Sequence, residues 1–228
     1  MGASYNTILI PRISIEVAIS AIAESLDFFG YRIIHRGGPS SSATEFQFPS
    51  TNSIFIGPPN SSSWLPVVTW GQGLPIEFPD RYRKCPLSAI LSRHFGPIVY
   101  YYSHNAGQFA GYSVFKQGQQ VEAQTVASQP GLPLGKFAPP LPPPRSPSIL
   151  AQILGDLDFD YESHMRRFRL LEVGTAALAE RLGVPVHLTD ALDIQDGDGA
   201  IIVENGDYRS LNLLGWVGLY YKSSVAQT

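Results

Sequence analysis

The chain holds a single cysteine, Cys85, so it cannot close an intramolecular disulfide, and nothing in it asks for an oxidising compartment. Charge is scarce as well. Asp, Glu, Lys and Arg make up 15% of the 228 residues, against roughly 25% in ordinary globular chains. With 16 Lys and Arg against 19 Asp and Glu, the formal charge of −3 has the wrong sign for a protein whose main business is neutralising phosphates. Nucleic acid is therefore not an expected partner. No run of about 18 consecutive apolar residues occurs, and the opening MGASYNTILIPRISIE lacks a basic segment followed by an apolar one. Neither membrane spanning nor secretion is expected, and a reducing cytoplasm fits best.

Short catalytic and ligand-binding motifs are missing too. The histidines His35, His94, His104, His164 and His187 are scattered, with no His-x-x-x-His pair and no Cys-x-x-Cys partner, so no zinc spacing is present. Asp193, Asp196 and Asp198 in LDIQDGDGAIIVE invite a calcium reading. The register fails, however: with Glu204 in the final bidentate position a glycine belongs at Asp198, and Gln195 and Gly197 stand where oxygen ligands are needed. A tight turn explains the same residues. Gly71 with Gly73, and Gly107 with Gly111, lack the strand, third glycine and helix of a phosphate cradle. Neither a Gly-x-Ser-x-Gly elbow, a Walker lysine nor a His-Glu-x-x-His occurs. No metal and no cofactor are expected.

What the chain does have is a clear succession of helix and strand signals. Thr7 to Ile10 reads as a strand stopped by Pro11. Ser14 suits a helix N-cap, and Ile15, Ile19, Ile22 and Leu26 form one apolar stripe on a helix from Ser14 to Phe29 that Gly30 can end. Tyr31 to His35, Glu45 to Phe48 and Ser53 to Ile56 read as strands, the last two as a possible hairpin. Trp64 to Trp70 is another strand, which Pro66 assigns to a sheet edge or a bulge. Leu87 to Phe95 predicts a short helix with Leu87, Ile90, Leu91 and His94 on one face, Pro86 in its first turn and Gly96 after its end. The segment from Ile98 to Val126 carries aromatic and β-branched runs broken by Asn105-Ala106-Gly107 and by Gln117-Gly118, which predicts three antiparallel strands. A helical turn is expected from Ser148 to Leu154 and a longer helix from Phe168 to Leu182. Ala200 to Val203 and Leu211 to Tyr221 close the chain as strands around a turn at Asn205-Gly206-Asp207.

Together these predict an α+β fold, a mainly antiparallel sheet packed by about three helices, with the proline-rich segment 129–147 as a strap or linker. The expected arrangement is one domain over residues 1–228. The alternative is two subdomains, 1–128 and 148–228, joined by that segment.

Three readings of function compete. Cys85 stands just before a predicted helix, where the positive end of the helix favours a thiolate, and His94 or His104 could serve as its base in a small hydrolase or transferase. Against this, Pro86 removes an N–H that would stabilise the thiolate, a lone cysteine is commonly a small buried hydrophobe, and His94 falls on the apolar stripe of its helix. A second reading is a ligand-binding module, with Trp64, Trp70 and the tyrosines lining an apolar pocket. The third is protein binding without catalysis. Tyr100, Tyr101, Tyr102, Phe109, Tyr112 and Phe115 crowd one meander, and alternation sends rings to both faces, one of them covered by helices and the other by the strap or by a partner. Pro139, Pro140, Pro142, Pro143 and Pro144 make a rigid extended element that could itself be recognised by an aromatic groove. A homo-oligomer using the same face would carry the same signature.

The stretch LSAILSRHFGPIVYYYSHNAGQFAGYSVFKQGQQVEAQ, followed after the prolines by LLEVGTAALAERLGVPVHLTDALD, resembles small bacterial α+β domains of the immunity and defence-associated kind. In these a helix precedes an aromatic hairpin ending in a glycine-containing turn, and a later helix runs into a Leu-Gly-hydrophobic-Pro segment. The resemblance spans about half the chain. It implies binding to another protein in preference to catalysis and carries no functional residue across, because that group has no catalytic motif to map. The expected function is thus an immunity-like or regulatory protein whose partner is another protein.

Overall fold

The first helix begins where the sequence offers a cap. In the computed structural model, which describes residues 5–28, 30–37, 52–57, 64–70, 87–104, 108–129, 146–184 and 217–223, α1 spans Ile15–Phe28. The Ser14 hydroxyl accepts from the Val17 N–H at 3.3 Å, and Gly30 follows the helix at φ 78°, a left-handed conformation that costs glycine little. α2 runs over Leu87–Phe95, as its pattern predicts. Its buried face is Leu87, Ser88, Ala89, Leu91 and Ser92, and His94 is exposed. The expectation that His94 sits on the buried stripe is therefore corrected. Ser88 and Ser92 turn inward, and Ser92 is tied to two backbones: its hydroxyl donates to the Ala89 carbonyl at 2.8 Å and accepts from the Gly118 N–H at 2.9 Å.

Among the described residues eight strands form one sheet, β1 Tyr5–Pro11, β2 Tyr31–Gly37, β3 Asn52–Ile56, β4 Trp64–Trp70, β5 Ile98–His104, β6 Phe109–Lys116, β7 Gln119–Ala127 and β8 Val217–Ser223. Their order is β2-β8-β3-β4-β1-β5-β6-β7, and every pairing is antiparallel. The α+β class expected from the sequence is what the structure shows. The three-stranded meander β5–β6–β7 is also present, its second turn closed by Gln117 at φ 53° and Gly118 at φ 82°. Two consecutive positive φ values are what a two-residue hairpin needs to match strand twist.

Pro66 does not place β4 at an edge. β4 lies inside the sheet, between β3 and β1. In an antiparallel ladder a residue's N–H and C=O point to the same neighbour, and the Pro66 carbonyl accepts from Gly57 at 2.8 Å, one residue beyond the end of β3 at Ile56. The missing donor thus faces the point where β3 stops, so no ladder bond of that strand is lost. The first strand does stop at Pro11, as the sequence suggests, with Pro11 as its last paired residue, opposite Trp64.

The C-terminal helices differ from expectation in detail. The helical turn expected from Ser148 to Leu154 is α3, Ile149–Leu154, and the structure adds its caps, Ser148 at the start and Gly155 in a left-handed conformation at the end. The long helix starts three residues later than predicted, as α5 over Leu171–Arg181, because Phe168–Leu170 form a bend. Before it stands an unforeseen helix, α4, over Tyr161–Arg166. Six residues are too few to display an apolar stripe. Its legible signals are local: Asp160 accepting from the Ser163 N–H at 2.7 Å, and Glu162 bonding Arg166 one turn on.

Both faces of the sheet are covered by helices, where helices were expected on one side only, and the strap expected on the other lies mostly outside the described residues. α1 and α2 bury Ile8, Ile10, Ile54, Ile56, Leu65, Val67, Tyr100 and Tyr102. α3, α4 and α5 bury Leu9, Val99, Tyr101, Ala110, Tyr112, Val114 and Val126 on the opposite face. The odd and even members of β1 and β5 divide cleanly between the two cores, as the period of two requires. Among the described residues no helix is long and apolar enough to cross a membrane. The strands expected at Glu45 to Phe48 and Ala200 to Val203, the turn at Asn205, most of the segment 129–147 and the Asp193 to Asp198 turn lie outside the described residues.

Candidate functional site

The aromatic residues expected to form a contact surface are core. Tyr100, Tyr101, Tyr102, Phe109, Tyr112 and Phe115 are all buried. Tyr100 stacks on Tyr102 at 5.5 Å under the first helical layer, and Tyr112 meets Tyr161 edge to face at 4.7 Å under the second. This corrects the reading of an exposed aromatic face, and the reason is topological. Alternation divides the rings between two faces, and each face received a helical layer. Tyr102 also crosses β6, its hydroxyl bonding Thr125 of β7 at 2.7 Å over Gly111, the residue paired with both. Trp64 packs partly buried against the second core.

Cys85, Pro139, Pro140, Pro142, Pro143 and Pro144 lie outside the described residues. His94, on the last turn of α2, is exposed with its ring 6.0 Å from that of Phe95. His104 ends β5, paired with Phe109.

The polar side chains that the structure does draw inward are ones the sequence reading passed over, and they hold the second helical layer in place. Glu122 on β7 is only 4% exposed. Its carboxylate accepts from the Ile149 N–H at 2.6 Å, the Leu150 N–H at 3.1 Å and the Tyr112 hydroxyl at 2.9 Å. A buried charge is tolerable when several donors converge on it, and here a strand carboxylate anchors the start of α3. Burial, then the Glu122 charge beside it, pushes the Tyr112 hydroxyl well above the usual tyrosine range. Burial does the same to Tyr161, whose hydroxyl finds no hydrogen-bond partner among the described residues.

His164 joins α4 to α5, its Nε2 lying 3.0 Å from the Gly174 carbonyl oxygen. Burial holds the imidazole below the usual histidine range, the Gly174 bond opposes this, and Arg181 and Arg167 push it further down. The only signal for these roles in the sequence was indirect: a carboxylate at an alternating position of a strand otherwise free of charge, and a histidine in a six-residue helix. Neither specifies a partner. Among the described residues no three His, Cys, Asp or Glu side chains gather as a metal site would require.

The outward side of the same layer is different in character. Leu170 and Val173, one turn apart, are 49% and 47% exposed. Leu170 occupies the N-cap of α5 with φ −120° and ψ 131° and makes no side-chain capping bond. The caps of α1, α3 and α4 are Ser14, Ser148 and Asp160, each accepting a helix N–H. Arg167 and Arg169 beside Leu170 are exposed, and among the described residues neither makes an ion pair, whereas Arg166 is held by Glu162. No family model matches the chain, and neither does any curated protein or solved structure.

Proposed function

We propose that the protein works by binding another protein without catalysis, as an immunity-like or regulatory partner, and that its contact surface includes the turn from α4 into α5. The observation that carries this is Leu170. An N-cap position rewards Ser, Thr, Asp or Asn by about 1 kcal/mol, and here it holds a leucine that neither caps nor reaches the core. Departures from local preference without a packing gain concentrate where function is selected. Val173 extends the apolar strip, and Arg167 and Arg169 rim it with positive charge. The complementary partner presents an apolar side chain bordered by carboxylates, which these arginines would meet at the rim.

The test uses three full-length proteins, the wild type, Leu170→Ser with Val173→Ser, and Arg167→Glu with Arg169→Glu, in affinity capture followed by cross-linking mass spectrometry. The expected result is a partner held by the wild type, cross-linked near 167–173, weakened by the serine pair and lost on charge reversal. A partner bound equally by all three folded proteins, or none above background, rejects this surface.

A further inference from the structure

α4 and α5 meet at one buried titratable side chain. His164 is 7% exposed, with the Phe159 ring at 5.4 Å, the Phe168 ring at 5.3 Å and the Gly174 carbonyl oxygen on its Nε2. A carbonyl can only accept, so Nε2 carries the proton in the neutral ring and Nδ1 does not. The two helices approach closely here: a Cβ at Gly174 would sit 3.0 Å from the Met165 Sδ and 3.1 Å from the Phe168 ring.

The charged groups around the imidazole give a second proton no counterpart. From α5, the Arg181 guanidinium lies 4.7 Å over the Phe159 ring and is bonded to Asp156 of the α3–α4 connection at 2.7 Å. From the end of α4 comes Arg167. Asp160, at the start of α4, is engaged by the Ser163 N–H, and Glu162 by Arg166. From the sheet, β7 contributes Glu122, which is taken by Ile149, Leu150 and Tyr112. Among the described residues no carboxylate hydrogen-bonds His164.

We propose that His164 makes the α4–α5 pair an acid-released cover, so that a proton taken up from solvent at Nδ1 parts these helices from the sheet before the sheet itself unfolds. An imidazolium inside the layer faces two arginines, and outside it faces water. β5 and β6 are paired on both sides and carry the first core on their other face, contacts that release of α4 and α5 leaves in place. Release uncovers Tyr101, Tyr112 and Tyr161, the rings that α4 and α5 help to bury, and so changes the surface offered to a partner. The cover operates whether or not α4–α5 is itself a contact surface.

The test is hydrogen exchange followed by mass spectrometry on the full chain between pH 7.5 and pH 5.0, corrected for the intrinsic pH dependence of exchange, for the wild type and His164→Gln. Glutamine keeps an N–H donor for the Gly174 carbonyl and does not titrate. The expected result is a loss of protection of at least about tenfold over residues 161–182 in the wild type on acidification, with β5 and β6 unchanged, and a flat response in His164→Gln. An equal response in His164→Gln, no loss in the wild type, or simultaneous loss in β5 and β6 overturns it. If the glutamine variant fails to fold, nuclear magnetic resonance of the wild-type ring decides. A His164 midpoint below the ordinary value coinciding with loss of helix protection supports the cover, and an ordinary midpoint or titration without that loss rejects it.

Discussion

Replacing Glu122 with alanine takes the acceptor away from three donors at once. Two of them, the Leu150 N–H and the Tyr112 hydroxyl, are buried, and the third, the Ile149 N–H, is partly so. A hydrogen bond to a charged group contributes about 1.5–3 kcal/mol net, and a buried donor left without a partner costs about 1–3 kcal/mol. The sum is offset by no longer desolvating a carboxylate that is 4% exposed, a cost of several kcal/mol in real proteins. About 2–4 kcal/mol of lost stability remains. Glu122→Gln keeps the size and one acceptor oxygen and is expected to cost about 1–2 kcal/mol by the same values. Tyr112→Phe removes one of the three bonds, so its effect and that of Glu122→Ala should fail to add by about 1–2 kcal/mol, well outside the ~0.5 kcal/mol scatter of independent sites. Urea unfolding followed by circular dichroism supplies all four corners of the cycle. A loss below about 1 kcal/mol for Glu122→Ala, or additivity within that scatter, would refute the view that this carboxylate seats the second helical layer.

Gly111→Ala should be destabilising by about 1–3 kcal/mol, read as a lowered thermal midpoint, because its new methyl would overlap the Tyr102 hydroxyl and sit 2.7 Å from the Gln124 carbonyl oxygen, which is backbone and cannot step aside. Leu170→Ser should raise stability by about 0.5–1 kcal/mol, since the backbone there already has capping geometry; a loss in chemical denaturation would show that Leu170 packs more than its exposure implies. Alkaline unfolding should also reveal the two buried tyrosines. Their raised folded-state values mean that above about pH 10 the unfolded chain releases protons the native one keeps, so stability falls as pH rises. Tyr112→Phe should lose less stability between pH 9 and pH 11 than the wild type, and an identical slope would contradict that assignment.

Much of the scaffold was legible because it obeys local rules. Ser14 with the isoleucine stripe marks α1, and the Gln117-Gly118 pair marks the β6–β7 turn, whose positive φ values few other dipeptides accept. α4 escaped because it is shorter than the two turns over which an apolar stripe can repeat. Pro66 misled because the rule that confines proline to edges concerns a donor facing a neighbour, and only the place where β3 stops decides whether one is there. The expected contact residues failed for a related reason. Tyr100, Tyr101, Tyr102 and Tyr112 carry the composition of an interaction surface, yet the same composition serves a core once both faces are covered.

By itself, then, the amino-acid order determined what depends on neighbours in the chain: the α+β class, the caps of α1 and α3, and the alternation that divides Tyr100 and Tyr102 from Tyr101. Only the tertiary structure decided which strands meet and what lies against each face, including the place of β8 between β2 and β3 and the seating of α3 on Glu122 across 27 residues of chain. Those choices rest on burial and pairing between residues distant in sequence, where many arrangements satisfy the same local pattern and differ only in the free energy of the assembled whole.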